Sequence, residues 1–192
     1  EFGETLRYFG RKLQLGGVVV KLGARVQPGD LQGYDHVVLA TGIVPRTPPI
    51  PGIEHAKVAG YIDIVEGRKQ AGKKVAIIGA GGIGFDVAEL LTHAAQGGDA
   101  IEAYRKEWGI DAGLGSRGGL AAPQMPPTPR QVWLLQRKPT KVGEGLAKTT
   151  GWARRLLLQK RGVQMLAGVE YAKIDDAGLH LLIDGEARLL EV

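Results

Sequence analysis

The chain has 192 residues, 44% hydrophobic and 23% charged, which suffices for one domain or two small ones with a buried core. It has no cysteine, which excludes a disulfide framework, a thiol nucleophile and a cysteine-held iron–sulfur cluster within these residues. No apolar run approaches the roughly 18 residues of a membrane span, and Glu1-Phe2-Gly3-Glu4-Thr5 is no secretory leader, so no membrane partner and a cytoplasmic location are expected.

Leu6, Phe9 and Leu13 recur at helical spacing between Thr5 and Leu15, and Gly16-Gly17 supplies a stop. Val18-Val19-Val20-Lys21-Leu22 and His36-Val37-Val38-Leu39-Ala40 predict two buried strands. Thr41-Gly42 closes the second, and Pro45, Pro48, Pro49 and Pro51 then predict an extended connector at a boundary between sub-domains. A short helix is expected within 58–70, which leads to Lys73-Lys74.

Val75-Ala76-Ile77-Ile78 predicts a strand, and Gly79-Ala80-Gly81-Gly82-Ile83-Gly84 follows it and opens a helix. A G-x-G-x-x-G between a strand and a helix is the setting of the dinucleotide fingerprint. Gly79 suits the tight turn, Gly81 leaves room for backbone to approach a pyrophosphate, and Gly84 lets helix pack on strand. The first N–H groups of the helix, with the positive end of its dipole behind them, face the anion. Ile83, Val87, Leu90 and Leu91 predict the buried face of that helix.

The next strand, Val132-Trp133-Leu134-Leu135, ends about thirty residues later than a compact βαβ unit allows, so residues 93–130 read as an inserted loop. Ile101, Tyr104 and Trp108 predict a helical turn in the insert, docked through that stripe. The new strand runs into Gln136-Arg137-Lys138, where an enzyme using NAD usually carries an acid for the ribose 2′-hydroxyl. Arg137 and Lys138 suit a 2′-phosphate instead, through a planar fork and a point charge, which points to NADP(H). Charge-assisted hydrogen bonds of about 1.5–3 kcal/mol each correspond to roughly ten- to hundredfold per contact, less where solvent reaches.

These two belong to a basic stretch, Arg130 to Arg161, with nine Lys/Arg against one acid, Glu144; the whole chain is +5. An anionic partner satisfies such a stretch, and Lys160 and Arg161 also read as solvated cations at a helix C-terminus. That helix is predicted from about Gly151 to Arg161, with Thr149 or Thr150 as cap and Gly162 as stop. Beyond it, 163–166, 169–174, 179–183 and 188–192 predict a strand leading into an antiparallel meander, with turns at 175–178 and 184–185. No catalytic residue and no metal site emerge, because His36, His55, His93 and His180 lack ligand spacing and Asp175, Asp176 and Asp184 sit in turns. Gly145-Leu146-Ala147-Lys148-Thr149 lacks the register of an NTPase phosphate loop.

Together with the glycine fingerprint, residues 41–52 (Thr-Gly-Ile-Val-Pro-Arg-Thr-Pro-Pro-Ile-Pro-Gly), Trp108-Gly109-Ile110-Asp111 and Lys148-Thr149-Thr150-Gly151-Trp152 resemble one family over essentially the whole chain. The sequence is similar to the C-terminal flavoprotein region of bacterial NADPH-dependent 2,4-dienoyl-CoA reductases, which belong with the Old Yellow Enzyme-like NADH:flavin oxidoreductases and act in fatty acid β-oxidation. The resemblance implies a parent with a TIM barrel holding FMN, a four-iron–four-sulfur cluster, and nested Rossmann-like domains for FAD and NADPH. In that family electrons pass from NADPH to FAD, through the cluster to FMN, and on to the dienoyl thioester. It implies that Ala40, Thr41 and Gly42 approach FAD, that most of the FAD site and the barrel are partners outside this sequence, and that the chain is a fragment unable to reduce dienoyl-CoA alone.

The expected fold is therefore α/β: a partial FAD-domain segment over 1–66, then a three-layer Rossmann-like NADP(H) domain over 67–192 with its insert and meander. One rival is the nucleotide-binding domain of a related flavin and iron–sulfur amine dehydrogenase. Another is a basic nucleic-acid-binding module, which would need exposed aromatics among the cations; Trp133 and Trp152 read as packing, so no nucleic-acid partner is expected.

Overall fold

A computed structural model describes residues 2–94 and 98–192; residues 95–97 of the insert lie outside the described residues. The chain divides into two compact units at Pro45/Arg46.

The first unit contains helix α1 (Phe2–Leu15) and a 3-10 turn at Pro28–Leu31. Gly17 ends the helix at φ 65°, in the left-handed region that glycine tolerates. Phe2, Leu6, Phe9 and Leu13 line one face of α1, and all are exposed. Neither expected strand is present. Residues 18–22 and 36–40 are irregular and exposed, and none of the unit's described residues is buried. An apolar β-branched run becomes a strand only when a neighbour completes its ladder, and these two find none within the unit.

The second unit is built around two sheets. Strands β1 (Lys74–Ile78), β2 (Gln131–Leu135) and β3 (Gln164–Leu166) form a parallel sheet in the order β1-β2-β3. Strands β4 (Val169–Asp175), β5 (Gly178–Ile183) and β6 (Glu186–Leu190) form the antiparallel meander. The last of these begins two residues earlier than expected, because Asp184 (φ 52°) and Gly185 (φ 81°) make a two-residue hairpin turn that pairs Ile183 with Glu186.

Helices α2 (Tyr61–Val65), α3 (Gly82–Thr92) and α5 (Gly151–Lys160) contribute to one core, while the meander builds another. The pleat of the parallel sheet separates them. Val132 and Leu134 of β2 join Phe85, Val87, Ala88, Leu91 and Leu158 on the helical side, and Trp133 and Leu135 join Val169, Leu179, Leu181 and Leu190 on the other. Val75 and Ile77 follow the first group, Ala76 and Ile78 the second. The result is a helix, parallel-sheet, meander sandwich, the expected three-layer α/β class. Trp133 keeps its indole N–H satisfied on Gln164 Oε1 at 3.1 Å.

Three details differ from the expected packing. The buried face of α3 is Gly84, Phe85, Val87, Ala88, Leu91 and Thr92, whereas Ile83 and Leu90, expected on it, are exposed. The helix is turned so that its side-chain-free position, Gly84, meets the sheet. The insert forms α4 (Ala100–Trp108), with Asp99 Oδ1 accepting from Ile101 N at 2.8 Å, but its expected docking stripe is largely exposed at Ile101 and Tyr104. Instead Glu107 is buried against Arg161, with Arg161 Nη2 and Nε donating to Oε1 at 2.8 and 3.2 Å. Arg161 is thus an internal ion-pair partner and not a solvated helix-end cation, while Lys160 lies 5.5 Å from the centre of the Trp108 ring.

The proline connector joins the meander. Ile174 N donates to Pro51 O at 2.8 Å, and His55 Nε2 lies 3.1 Å from Asp176 Oδ1.

Candidate functional site

Parallel pairing brings the ends of β1 and β2 to one sheet edge, with Ile78 opposite Leu135. Ligands of open parallel sheets sit beyond such carboxyl ends. Two different loops leave this edge.

The first is the glycine turn. Gly79 has φ 111°, outside the range of ordinary L residues, and its N–H donates to Leu135 O at 3.0 Å, one step past the ladder. Gly81 is the N-cap of α3, extended at φ −83° and ψ −172°, and no side chain caps the helix. A Cβ added at Gly81 would meet nothing within 4 Å, whereas one at Gly84 would overlap the Gly79 carbonyl oxygen and come within 3.3 Å of Leu134 Cδ1. Phe85 N makes the first intrahelical bond of the turn, to Gly81 O at 3.1 Å. The N–H groups of Gly82, Ile83 and Gly84 precede it and have no helical acceptor. Open space in front of uncapped amides, with close packing behind, fits a phosphate group. Ala80 is half-buried behind this turn, packed against the helical core.

The second loop follows β2. Arg137 and Lys138 are both exposed, and neither has an ion-pair partner among the described residues. Gln136 Nε2 donates to Lys138 O at 3.0 Å and Thr140 O at 2.7 Å, a feature that sequence reasoning passed over. Tyr171 of the meander has its phenol pushed up to about 12 by burial, with the nearby Arg137 guanidinium opposing the shift. The rest of the basic stretch is partly absorbed by the fold. Arg154 pairs with Asp86 and lies 4.0 Å from Glu89 on α3, and Arg130 donates to Leu91 O at 3.3 Å. Lys141 and Lys148 remain exposed beside Arg137 and Lys138 in sequence.

Ala40, Thr41 and Gly42 belong to the first unit, exposed and without regular structure, with Gly42 at φ 78°. Trp152 is 63% exposed and donates to Thr149 O at 3.1 Å, so it is not the packing residue expected. Thr150 is the N-cap of α5 but makes no side-chain cap bond. His180 Nε2 lies 2.9 Å from Asp175 Oδ1; the Asp175 carboxyl is held below the ordinary range first by Lys173 and next by His180. Among the described residues no cluster of three His, Cys, Asp or Glu could hold a metal, and no helix is long and apolar enough to cross a membrane.

Comparison with known proteins identifies the family and the fold. The model of the pyridine nucleotide-disulphide oxidoreductase family matches residues 10–192. A metal reductase of Desulforamulus reducens is 43% identical over 61 residues, covering 32% of this chain and 9% of that protein. A cinnamate reductase of Clostridium sporogenes is 40% identical over 77 residues, covering 39% of this chain and 11% of that protein. The matched segments cover about a tenth of the length of these relatives.

Among solved structures, a 2-naphthoyl-CoA reductase in complex with 2-naphthoyl-CoA superposes with a TM-score of 0.63 at 22% identity, over 99% of this chain and 24% of that one. The 6-hydroxypseudooxynicotine amine oxidase of Pseudomonas geniculata gives 0.64 at 19% identity, over 100% and 26%. These likenesses show the fold. With nearly its whole length matched by the family model, the chain belongs to the pyridine nucleotide-disulphide oxidoreductases, a family of nucleotide- and flavin-binding redox proteins.

Proposed function

We propose that this chain docks NADPH for a flavin-dependent oxidoreductase resembling 2,4-dienoyl-CoA reductase. The amides of the Gly79–Gly84 turn hold the diphosphate, and Arg137 and Lys138 hold the 2′-phosphate. One observation carries the reading: the Cβ position of Gly81 opens onto empty space at an uncapped helix start, while that of Gly84 is occupied by backbone. A side chain is excluded at 84 by the fold alone; at 81 the fold leaves room for a phosphate to approach the uncapped amides.

NADPH, when bound, supplies a hydride, and in the longer parent its acceptor is FAD. The chain's own residues contribute binding and orientation, which set how close the donor comes to its acceptor. With no cysteine, these residues contribute no dithiol step. The onward carriers in this reading, FMN and a four-iron–four-sulfur cluster, belong to other parts of the parent, as does most of the FAD site, with Ala40, Thr41 and Gly42 contributing only its edge. A cinnamate reductase among the relatives supports an alkene conjugated to a carbonyl as the final acceptor, the class to which a dienoyl thioester belongs. Residues 1–66 fall to the FAD side of this arrangement and 67–192 to the nucleotide side, in a cytoplasmic enzyme.

Substituting Gly81→Val tests the reading. The side chain has space in the free protein, so circular dichroism and melting should stay near wild type, with a cap cost of at most about 1 kcal/mol. NADP+ and NAD+ binding should both fall below detection by titration calorimetry. Undiminished binding would remove the diphosphate from this turn.

A further inference from the structure

Gln136 sits between the last ladder residue of β2 and the two exposed cations, and its side chain is spent on the backbone around them. Both hydrogens of its amide have acceptors, Lys138 O at 3.0 Å and Thr140 O at 2.7 Å. Lys138 O takes a second bond from Gly168 N at 3.0 Å. The main chain of Gln136 is equally committed, its N–H donating to Leu166 O at 2.9 Å and its carbonyl accepting from Val169 N at 3.1 Å. Residues 137–140 are therefore folded around one amide and tied to the β3–β4 junction.

A glutamine at this place could instead reach a ligand. Its donors, however, are already used, which leaves no amide hydrogen for the oxygens of a phosphate. What it does is fix the backbone that carries Arg137 and Lys138. Holding a cation before the anion arrives reduces the freedom lost on binding, and the Gln136 amide is the side chain that ties this loop to itself. We propose that Gln136 is the positioning residue of the 2′-phosphate site, setting the preference for NADP(H) over NAD(H) without touching either. This rests on the assignment of Arg137 and Lys138 to that phosphate.

The test uses NADP+ and NAD+, which differ only in the 2′-phosphate, titrated into the 192-residue chain. Wild type should prefer NADP+, and Arg137→Ala should remove most of the preference. Gln136→Met, similar in length but without donors, should weaken NADP+ about five- to tenfold and NAD+ less than twofold. Gln136→Asn keeps the amide but shortens its reach, and should give a smaller loss in the same direction; it decides the matter if the methionine variant does not fold. A merely structural role would weaken both dinucleotides together. Parallel losses, or an unchanged ratio in the folded variant, would overturn the positioning role while leaving Arg137 in place. A wild-type chain without preference would overturn both assignments.

Discussion

At the end of β1 the chain withdraws its side chains, and at the end of β2 it supplies them. The glycine turn offers amide hydrogens and room, which any dinucleotide can use. The Gln136–Thr140 loop offers two cations on a clamped backbone, which on the proposed reading meet the extra phosphate of NADP(H). The proposed function gives affinity and selectivity to neighbouring strand ends, and changes at one should leave the other readable. Backbone recognition is sensitive to volume, whereas side-chain recognition is sensitive to charge and to how firmly the loop is held.

The largest expected effect lies outside both loops and serves as their control. Arg161→Met leaves Glu107 buried without its partner and should cost about 3–5 kcal/mol, seen as an early denaturant midpoint; adding Glu107→Gln should recover part of it. Nucleotide preference measured well below that midpoint should be unchanged, since Arg161 holds Glu107 of α4 and the Glu89 carbonyl in the second half of α3, and neither contact reaches the loop that carries Arg137 and Lys138. A shift in preference would break the separation drawn above.

Within the β1 exit, Gly84→Val should lose on the order of 3 kcal/mol, because the side chain would overlap the Gly79 carbonyl and crowd Leu134 of β2. Gly81→Val, three residues earlier, should lose binding and hardly any stability. If the two variants behaved alike, the turn would be a packing device and nothing more.

The smallest effects concern pH. Tyr171 is held neutral by burial, with its phenol at about 12, so it favours the folded state most fully below its ordinary value near 10. That contribution is lost as pH rises from there towards 12. Removing the opposing guanidinium with Arg137→Ala should move the phenol's absorbance titration to still higher pH, and no movement would separate Arg137 from the meander. At the acid end Asp175 has the opposite sign: stability present above the ordinary carboxylate value near 3.9 is lost as pH falls below it. Replacing Lys173 and His180 together should flatten that acid slope.

The parts of the molecule visible from sequence are those decided locally. Val75–Ile78, the glycines after it and the two-residue turn at Asp184-Gly185 each carry their own geometric instruction, and Val132–Leu135 alternates between two faces because both are covered. The exposed runs at 18–22 and 36–40 have equally strong β composition, but pairing depends on a partner that no local pattern supplies. Glu107 and Arg161 are 54 residues apart, and their burial as a pair is a tertiary event. The rotation of α3 that leaves Ile83 and Leu90 exposed was available in principle, because a glycine required at the sheet contact specifies which face turns inward. Gln136 was also available, as a residue with two amide hydrogens directly before a cationic loop.

A crystal of the chain soaked with NADPH tests the central claim most directly. The diphosphate is expected within hydrogen-bond distance of the amides that open α3, and the 2′-phosphate beside Arg137 and Lys138. Density for the coenzyme at another surface, or an empty turn at saturating coenzyme with its approach unobstructed by the lattice, would contradict it.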